Sequence, residues 1–240
     1  MKLKNYTIYI VAIIIIACSP SYNLQSYNDE VIEVQSPVDS TVLAIITPYQ
    51  NGIESQMNEV LCVSEMEMKK GRPESLLGNF VTDLCLNYAD AHVCVMNTGG
   101  LRSSLPKGNI TRGDIYTLMP FENELVVLEL DIESFKGLVD YITKRGGEPF
   151  SGMTLKASSK GYDIEEVSRM EDYLDFNKGN KIRVLTSDYL ANGGDKMWFF
   201  KDKEQIKVGI KLRDAIIDHC SKSDTISSKL DNRLIFTENE

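Results

Sequence analysis

Three short stretches of this sequence carry side chains that plain core or surface does not require. Asn97-Thr98-Gly99-Gly100-Leu101-Arg102 follows an apolar run. Adjacent glycines let a backbone take positive φ and come close to a ligand. An arginine just beyond them offers a planar fork of donors to a carboxylate or phosphate. The same residues equally describe a tight turn with a solvated arginine. Phe121 follows Pro120 in a connection between a helix and a strand, where a ring is more often core than a ligand platform. Tyr189 lies in the stretch SDYLANGGDKMW, in which an aromatic again precedes a Gly-Gly turn and then a carboxylate, Asp195. The repetition says more than either instance. If the loops converge, they make a clamp of two π faces, a guanidinium and a carboxylate. Stacking on aromatics contributes on the order of 1–3 kcal/mol per base, and a charge-assisted hydrogen bond roughly 1.5–3 kcal/mol. After the entropic cost of association, that suffices for weak nucleoside or nucleotide binding.

The elements that must position these loops can be read from periodicity. Residues 42–46 read as a strand leading into a helix from 48 to 57. From 74 to 89, Leu76, Leu77, Phe80, Val81, Leu84, Cys85 and Tyr88 recur at helical spacing and form one apolar stripe. Residues 92–96 make a short buried strand that ends at the first Gly-Gly turn. Thr111 with Asp114 is a capping box for a short helix reaching Met119 and stopped by Pro120. A strand over 124–130 and a helix over 132–144 follow, the helix with apolar positions Phe135, Leu138, Val139 and Ile142. Strands near 153–157, 161–167 and 181–186 come next, then a helix around 207–220 and a closing strand at 233–236. Several strand pairs are joined too tightly for parallel crossovers, which favours a mixed or antiparallel α+β domain.

The amino terminus reads differently. Lys2 and Lys4 precede an apolar run of ten residues, 8–17, too short for a membrane span and right for the core of a signal peptide. Ile15-Ile16-Ala17-Cys18 resembles the bacterial lipobox, in which the cysteine becomes the lipidated first residue. Residues 1–17 are therefore expected to be a lipoprotein signal peptide, 18–39 a polar tether, and 40–240 the folded domain of an exported, membrane-anchored protein. The precursor carries a net charge of −9; without residues 1–17, which hold two lysines and no acids, it is −11. So acidic a body makes nucleic acid a poor partner, since phosphate backbones need a basic face, and leaves room for a small anion held by a few local arginines. Cys62, Cys85, Cys94 and Cys220 show neither a C-x-x-C pair nor metal-ligand spacing, so buried free thiols are expected.

The stretches RPESLLGNFVTD (72–83), NTGGLRSSLPKGNITRGDIYTLMPFENELVVLEL (97–130) and TSDYLANGGD (186–195) together carry a family resemblance. In order and spacing they resemble the C-terminal domain of bacterial and animal 5′-nucleotidases, which include the UDP-sugar hydrolases. The resemblance runs from about residue 40 to the end. It implies a four-layer α/β/β/α sandwich that holds a nucleoside monophosphate or nucleotide sugar. Phe121 and Tyr189 match the two aromatics that enclose the base. The family's second ring is usually Phe, so Tyr189→Phe is expected to be nearly silent. Arg102 matches an arginine that grips the substrate, and Arg72 looks like its companion. Asn97 and Asp195 match substrate contacts, Asp195 on the ribose hydroxyls. Lys196 departs from the pattern, standing where the family has Gly, and is expected to alter the loop's backbone or crowd the pocket.

Enzymes of this family cut phosphate with a two-metal centre in a separate metallophosphatase domain, which needs several His, Asp and Asn ligands. Only His92 and His219 occur in this sequence, neither in an Asp-x-His, Gly-Asn-His or His-x-His context. No Gly-x-Ser-x-Gly or phosphate loop is present either. The expectation is a chain with no catalytic residues and no cofactor of its own. Divalent metals and the attacking water would come from a metallophosphatase partner. The alternatives are a free-standing nucleotide-binding lipoprotein without hydrolysis, or a domain kept for protein interactions alone.

Overall fold

The computed structural model describes residues 37, 39–158, 161–167 and 181–237. The expected signal peptide, Cys18 and nearly all of the expected tether lie outside these residues. The chain divides into two compact units, residues 1–45 and 46–240. Of the first, the described part is the start of helix α1, Ser40–Met57. The rest of the fold belongs to the second.

Helix α1 corrects the reading of residues 42–46 as a strand. The apolar run Val42-Leu43-Ala44-Ile45-Ile46, with three β-branched residues, mimics a strand, but Asp39 caps a helix there. Its Oδ1 accepts from the Thr41 and Val42 amides at 2.8 and 3.2 Å, satisfying donors that a helix leaves unpaired. Pro48 lies inside the helix rather than at its start.

The centre of the second unit is a five-stranded sheet. In chain order its strands are β2 (Val93–Val95), β4 (Glu124–Leu130), β5 (Phe150–Ser151), β8 (Ile182–Ser187) and β9 (Gln205–Lys211), arranged β5-β2-β8-β4-β9. β2 and β8 are parallel, and β4 runs antiparallel to β8 and β9. Successive side chains of a strand point to opposite faces, and this sheet sorts its residues accordingly. Cys94, Leu125, Val127 and Leu185 enter one core with α2 (Leu76–Leu86), α3 (Arg112–Leu118) and α6 (Leu212–Ser221). Val93, Val95, Val126, Leu128 and Val184 enter a second core with α4 (Ile132–Lys144), β6 (Met153–Ser158) and β7 (Gly161–Val167). Burial on both faces explains why β2, β4 and β8 read as nearly continuous apolar runs.

Two three-stranded sheets complete the mixed α+β architecture. One has the order β10-β1-β3, from β1 (Val60–Ser64), β3 (Gly108–Thr111) and β10 (Thr225–Ile226). The other has the order β11-β6-β7, with β11 spanning Leu234–Phe236. The capping box forms as expected: Thr111 Oγ1 accepts from the Asp114 amide at 3.1 Å, while Asp114 Oδ2 accepts from the Thr111 amide at 2.7 Å. The stripe of α4 is buried at all four positions, behind an Asp131 cap that accepts from the Ser134 amide at 2.8 Å. Burying each such side chain contributes roughly 1.5–3 kcal/mol.

The helix expected around 207–220 is in fact a strand followed by a helix. Ile206, Val208 and Ile210 alternate at period two and pair β9 along β4, and α6 begins only at Leu212. Cys62, Cys85, Cys94 and Cys220 are free and buried, as expected.

Candidate functional site

The three loops singled out from sequence meet at one end of the central sheet. Because β2 and β8 are parallel, the turns after them leave from the same edge. Because β4 is antiparallel to β8, the loop before β4 arrives there too. Ligands of open sheets bind in this place, at the carboxyl ends of parallel strands. A cleft of about 360 Å³ results, lined by Asn97, Gly99, Gly100, Arg102, Phe121, Asn123, Tyr189 and Asp195. Five of the six residues expected to bind substrate are thus together; Arg72 is not among them. Asn123 was not foreseen, though it stands two residues beyond Phe121 in the same loop.

Phe121 and Tyr189 are 42% and 45% exposed. They are large rings left in solvent at the cleft, outside both cores. Backbone and ion pairs hold each in place. Ser187 Oγ caps the short helix α5, Asp188–Ala191, by accepting from the Leu190 amide at 3.3 Å, which sets Tyr189 on its first turn. On the other side, Arg213 donates to the Phe121 carbonyl at 3.5 Å and pairs with Glu122. The Arg213 and Lys211 partners bring the Glu122 carboxyl down to about 2. The Arg213 guanidinium also lies 4.3 Å above the Tyr116 ring.

Glycine is required at two of the turn positions. A Cβ on Gly100 would stand 2.7 Å from Asn97 Oδ1, and one on Gly194 only 2.6 Å from the Tyr189 ring and carbonyl. Arg102 is exposed, lines the cleft and donates to the Gly99 carbonyl at 3.3 Å through Nη1, a bond that uses one of its guanidinium donors. Lys196 adopts φ +69 in the left-handed region that glycine occupies without penalty, and its side chain is exposed and does not line the cleft. It therefore takes a backbone conformation open to glycine and stands outside the lining of the cleft.

Arg72 turns instead to Glu148. Its Nε donates to the Gly147 carbonyl at 2.7 Å and its Nη2 to Glu148 Oε1 at 2.5 Å. Arg145 Nε reaches the same oxygen at 2.6 Å. Glu148 Oε2 accepts from the Thr98 amide and hydroxyl at 2.7 and 2.6 Å. A fully enclosed carboxylate therefore anchors the first Gly-Gly turn, and Arg72 acts on the cleft through it. Burial pushes the Glu148 carboxyl up, but the Thr98 donors and the two guanidinium groups outweigh it and hold it below the usual carboxylate range. Glu148 follows a Gly-Gly pair, a signal too common to single it out in sequence.

His92 and His219 lie elsewhere. Nδ1 of His92 accepts from the Arg183 amide at 3.1 Å, and His219 sits edge-on to Phe80 at 5.7 Å. Among the described residues, no three His, Cys, Asp or Glu side chains come together in a way that could hold a metal ion.

The family model described as "5'-nucleotidase, C-terminal domain" matches residues 56–202, more than half of the chain. An apyrase of Tabanus yao is 25% identical over 221 residues, covering 78% of this chain and 39% of that protein. A 5′-nucleotidase of Vibrio parahaemolyticus is 25% identical over 170 residues, covering 65% and 29%. Among solved structures, a 5′-nucleotidase precursor from Thermus thermophilus superimposes with a TM-score of 0.65 at 23% identity, over 85% of this chain and 44% of that one. The chain spans less than half the length of these relatives. It belongs to the family of 5′-nucleotidase C-terminal, substrate-binding domains.

Proposed function

We propose that this protein is the nucleotide-binding half of a split, exported 5′-nucleotidase. One observation carries the reading: two exposed rings, Phe121 and Tyr189, open onto the same cleft as Arg102 and Asp195. A ring pair outside the core has no packing role that requires it there. In this reading the base stacks between the rings, Asp195 and Asn97 take the sugar hydroxyls, and Arg102 takes the anionic side. Arg72 and Glu148 hold the turn that carries Asn97. Substrates are nucleoside monophosphates or nucleotide sugars. These residues bind and orient; none is placed to activate water. A separate metallophosphatase supplies the divalent metals, whose role when bound is to polarise the phosphoryl group and lower the pKa of a water. The phosphate would reach out of the cleft into that partner's site.

The test is phosphate release from AMP with divalent metal, with and without a candidate metallophosphatase. The protein by itself should give no turnover, and the pair should reach a rate typical of enzymes, about 1 per second or more. Such a rate from this chain alone, in a contamination-controlled preparation, would falsify the split. Binding without turnover in either mixture would favour a free-standing nucleotide-binding lipoprotein.

Membrane attachment belongs to the same proposal and rests on Lys2, Lys4, the apolar run and Cys18. Cys18→Ser is expected to abolish labelling by a fatty-acid analogue in cells. Unchanged labelling of that variant would place the lipid elsewhere and end the lipobox reading.

A further inference from the structure

Asp195 is held more tightly than a ligand-binding carboxylate on a surface loop needs to be. Its Oδ2 accepts from Asn97 Nδ2 at 2.6 Å, and its Oδ1 from the Tyr189 hydroxyl at 3.1 Å. The Asp195 amide donates back to the same hydroxyl oxygen at 3.3 Å, and the Asp195 carbonyl accepts from the Tyr141 hydroxyl at 2.8 Å. The phenol oxygen of Tyr189 thus ties both the backbone and the side chain of Asp195, closing a ring across Gly193 and Gly194. This fastening has something to resist. Asp195 sits at φ +51 and Lys196 at φ +69, left-handed conformations that L residues leave readily when nothing holds them.

Each carboxylate oxygen can accept two hydrogen bonds. Here one position on each oxygen is used inside the protein, which leaves one on each for a ligand of the cleft that Asp195 lines. Two adjacent acceptors can take one hydrogen bond from each of two adjacent hydroxyls, where a single hydroxyl fills only one of them. We propose that the Tyr189 hydroxyl is a specificity-determining positioning group: by latching Asp195 it aims the carboxylate at a vicinal diol and makes the cleft select ligands that carry one. The inference rests on the nucleotide reading of the cleft. It also changes the expectation that phenylalanine would serve equally at this position. A phenylalanine would keep the stacking face and lose both bonds to Asp195.

The test compares AMP with 2′,3′-dideoxy-AMP by calorimetric titration on the full chain and on Tyr189→Phe, which retains the ring. Wild type should prefer AMP. Tyr189→Phe should weaken AMP about 5- to 20-fold, the loss of a bond to a charged group acting at one remove. Its affinity for the dideoxy nucleotide should stay within about twofold. Equal weakening of both ligands, or of neither, overturns the proposal. Amide hydrogen exchange over residues 193–197 of the unliganded proteins gives a readout independent of ligand. Exchange at least about tenfold faster in Tyr189→Phe is expected, because the fastening is local; unchanged exchange overturns the latch. Should wild type bind neither nucleotide, the nucleotide reading fails and the diol selectivity fails with it. The latch itself is then decided by the exchange result alone.

Discussion

Phe121→Ala and Tyr189→Ala should each weaken AMP binding by roughly 1–3 kcal/mol, the contribution of one stacking face. That corresponds to about a 5- to 150-fold loss of affinity. Both variants should remain folded, because the rings are 42% and 45% exposed and belong to neither core. A ring taken from a packed core would instead lose about 3–5 kcal/mol of stability on truncation to alanine. Phe121→Ala is the cleaner of the two, since Phe121 makes no side-chain hydrogen bond. Tyr189→Ala removes a stacking face and the fastening of Asp195 together, so its loss should be the larger. Calorimetric titration with AMP beside a thermal melt separates the outcomes. A lower melting temperature with unchanged affinity per folded molecule would sink the clamp and most of the case for nucleotide binding.

Glu148→Ala should be the most destabilising single change at the site. Its side chain is fully enclosed and serves two guanidinium groups and both donors of Thr98. Removing one partner of a fully buried ion pair costs about 3–5 kcal/mol. Arg72 and Arg145 keep 39% and 42% of their side chains exposed, so they can rehydrate, and about 2–4 kcal/mol is expected here. The pH dependence has a definite sign. The folded-state pKa of Glu148 lies below its ordinary value, so the unfolded chain takes up the proton first as pH falls. Its contribution is fully present well above the unfolded carboxyl pKa of about 4.3 and is lost progressively as pH falls from there through the lower folded-state value. Urea unfolding at several pH values between about 6 and about 3 should therefore show a constant gap between wild type and Glu148→Ala at the upper end that narrows as pH falls below about 4.3. A gap that stays constant over that range would mean that charge on Glu148 contributes nothing. Affinity for AMP should fall in the same variant, because the Thr98 turn that carries Asn97 loses its anchor.

Wherever an element is specified by neighbours a few residues away, sequence alone determined it. α4 follows from its stripe of Phe135, Leu138, Val139 and Ile142, and α3 from the Thr111–Asp114 box. The chemistry of the three loops, and five of the residues they bring to the cleft, could be named before any contact was known. Local pattern failed where two readings share it. Val42 to Ile46 is apolar and rich in β-branched residues yet lies in a helix capped by Asp39, and Ile206 to Ile210 precedes a helix yet pairs as a strand with β4. Only the tertiary structure decided how the loops meet, because that depends on β2 and β8 being parallel and β4 antiparallel beside them. It also decided what Arg72 does. Its guanidinium pairs with an enclosed carboxylate, Glu148, that is 76 residues away in the chain. The hold of Tyr141 and Asn97 on Asp195 likewise crosses 54 and 98 residues. No periodicity or motif registers bonds between residues so far apart, since they exist only once the sheet has placed both ends.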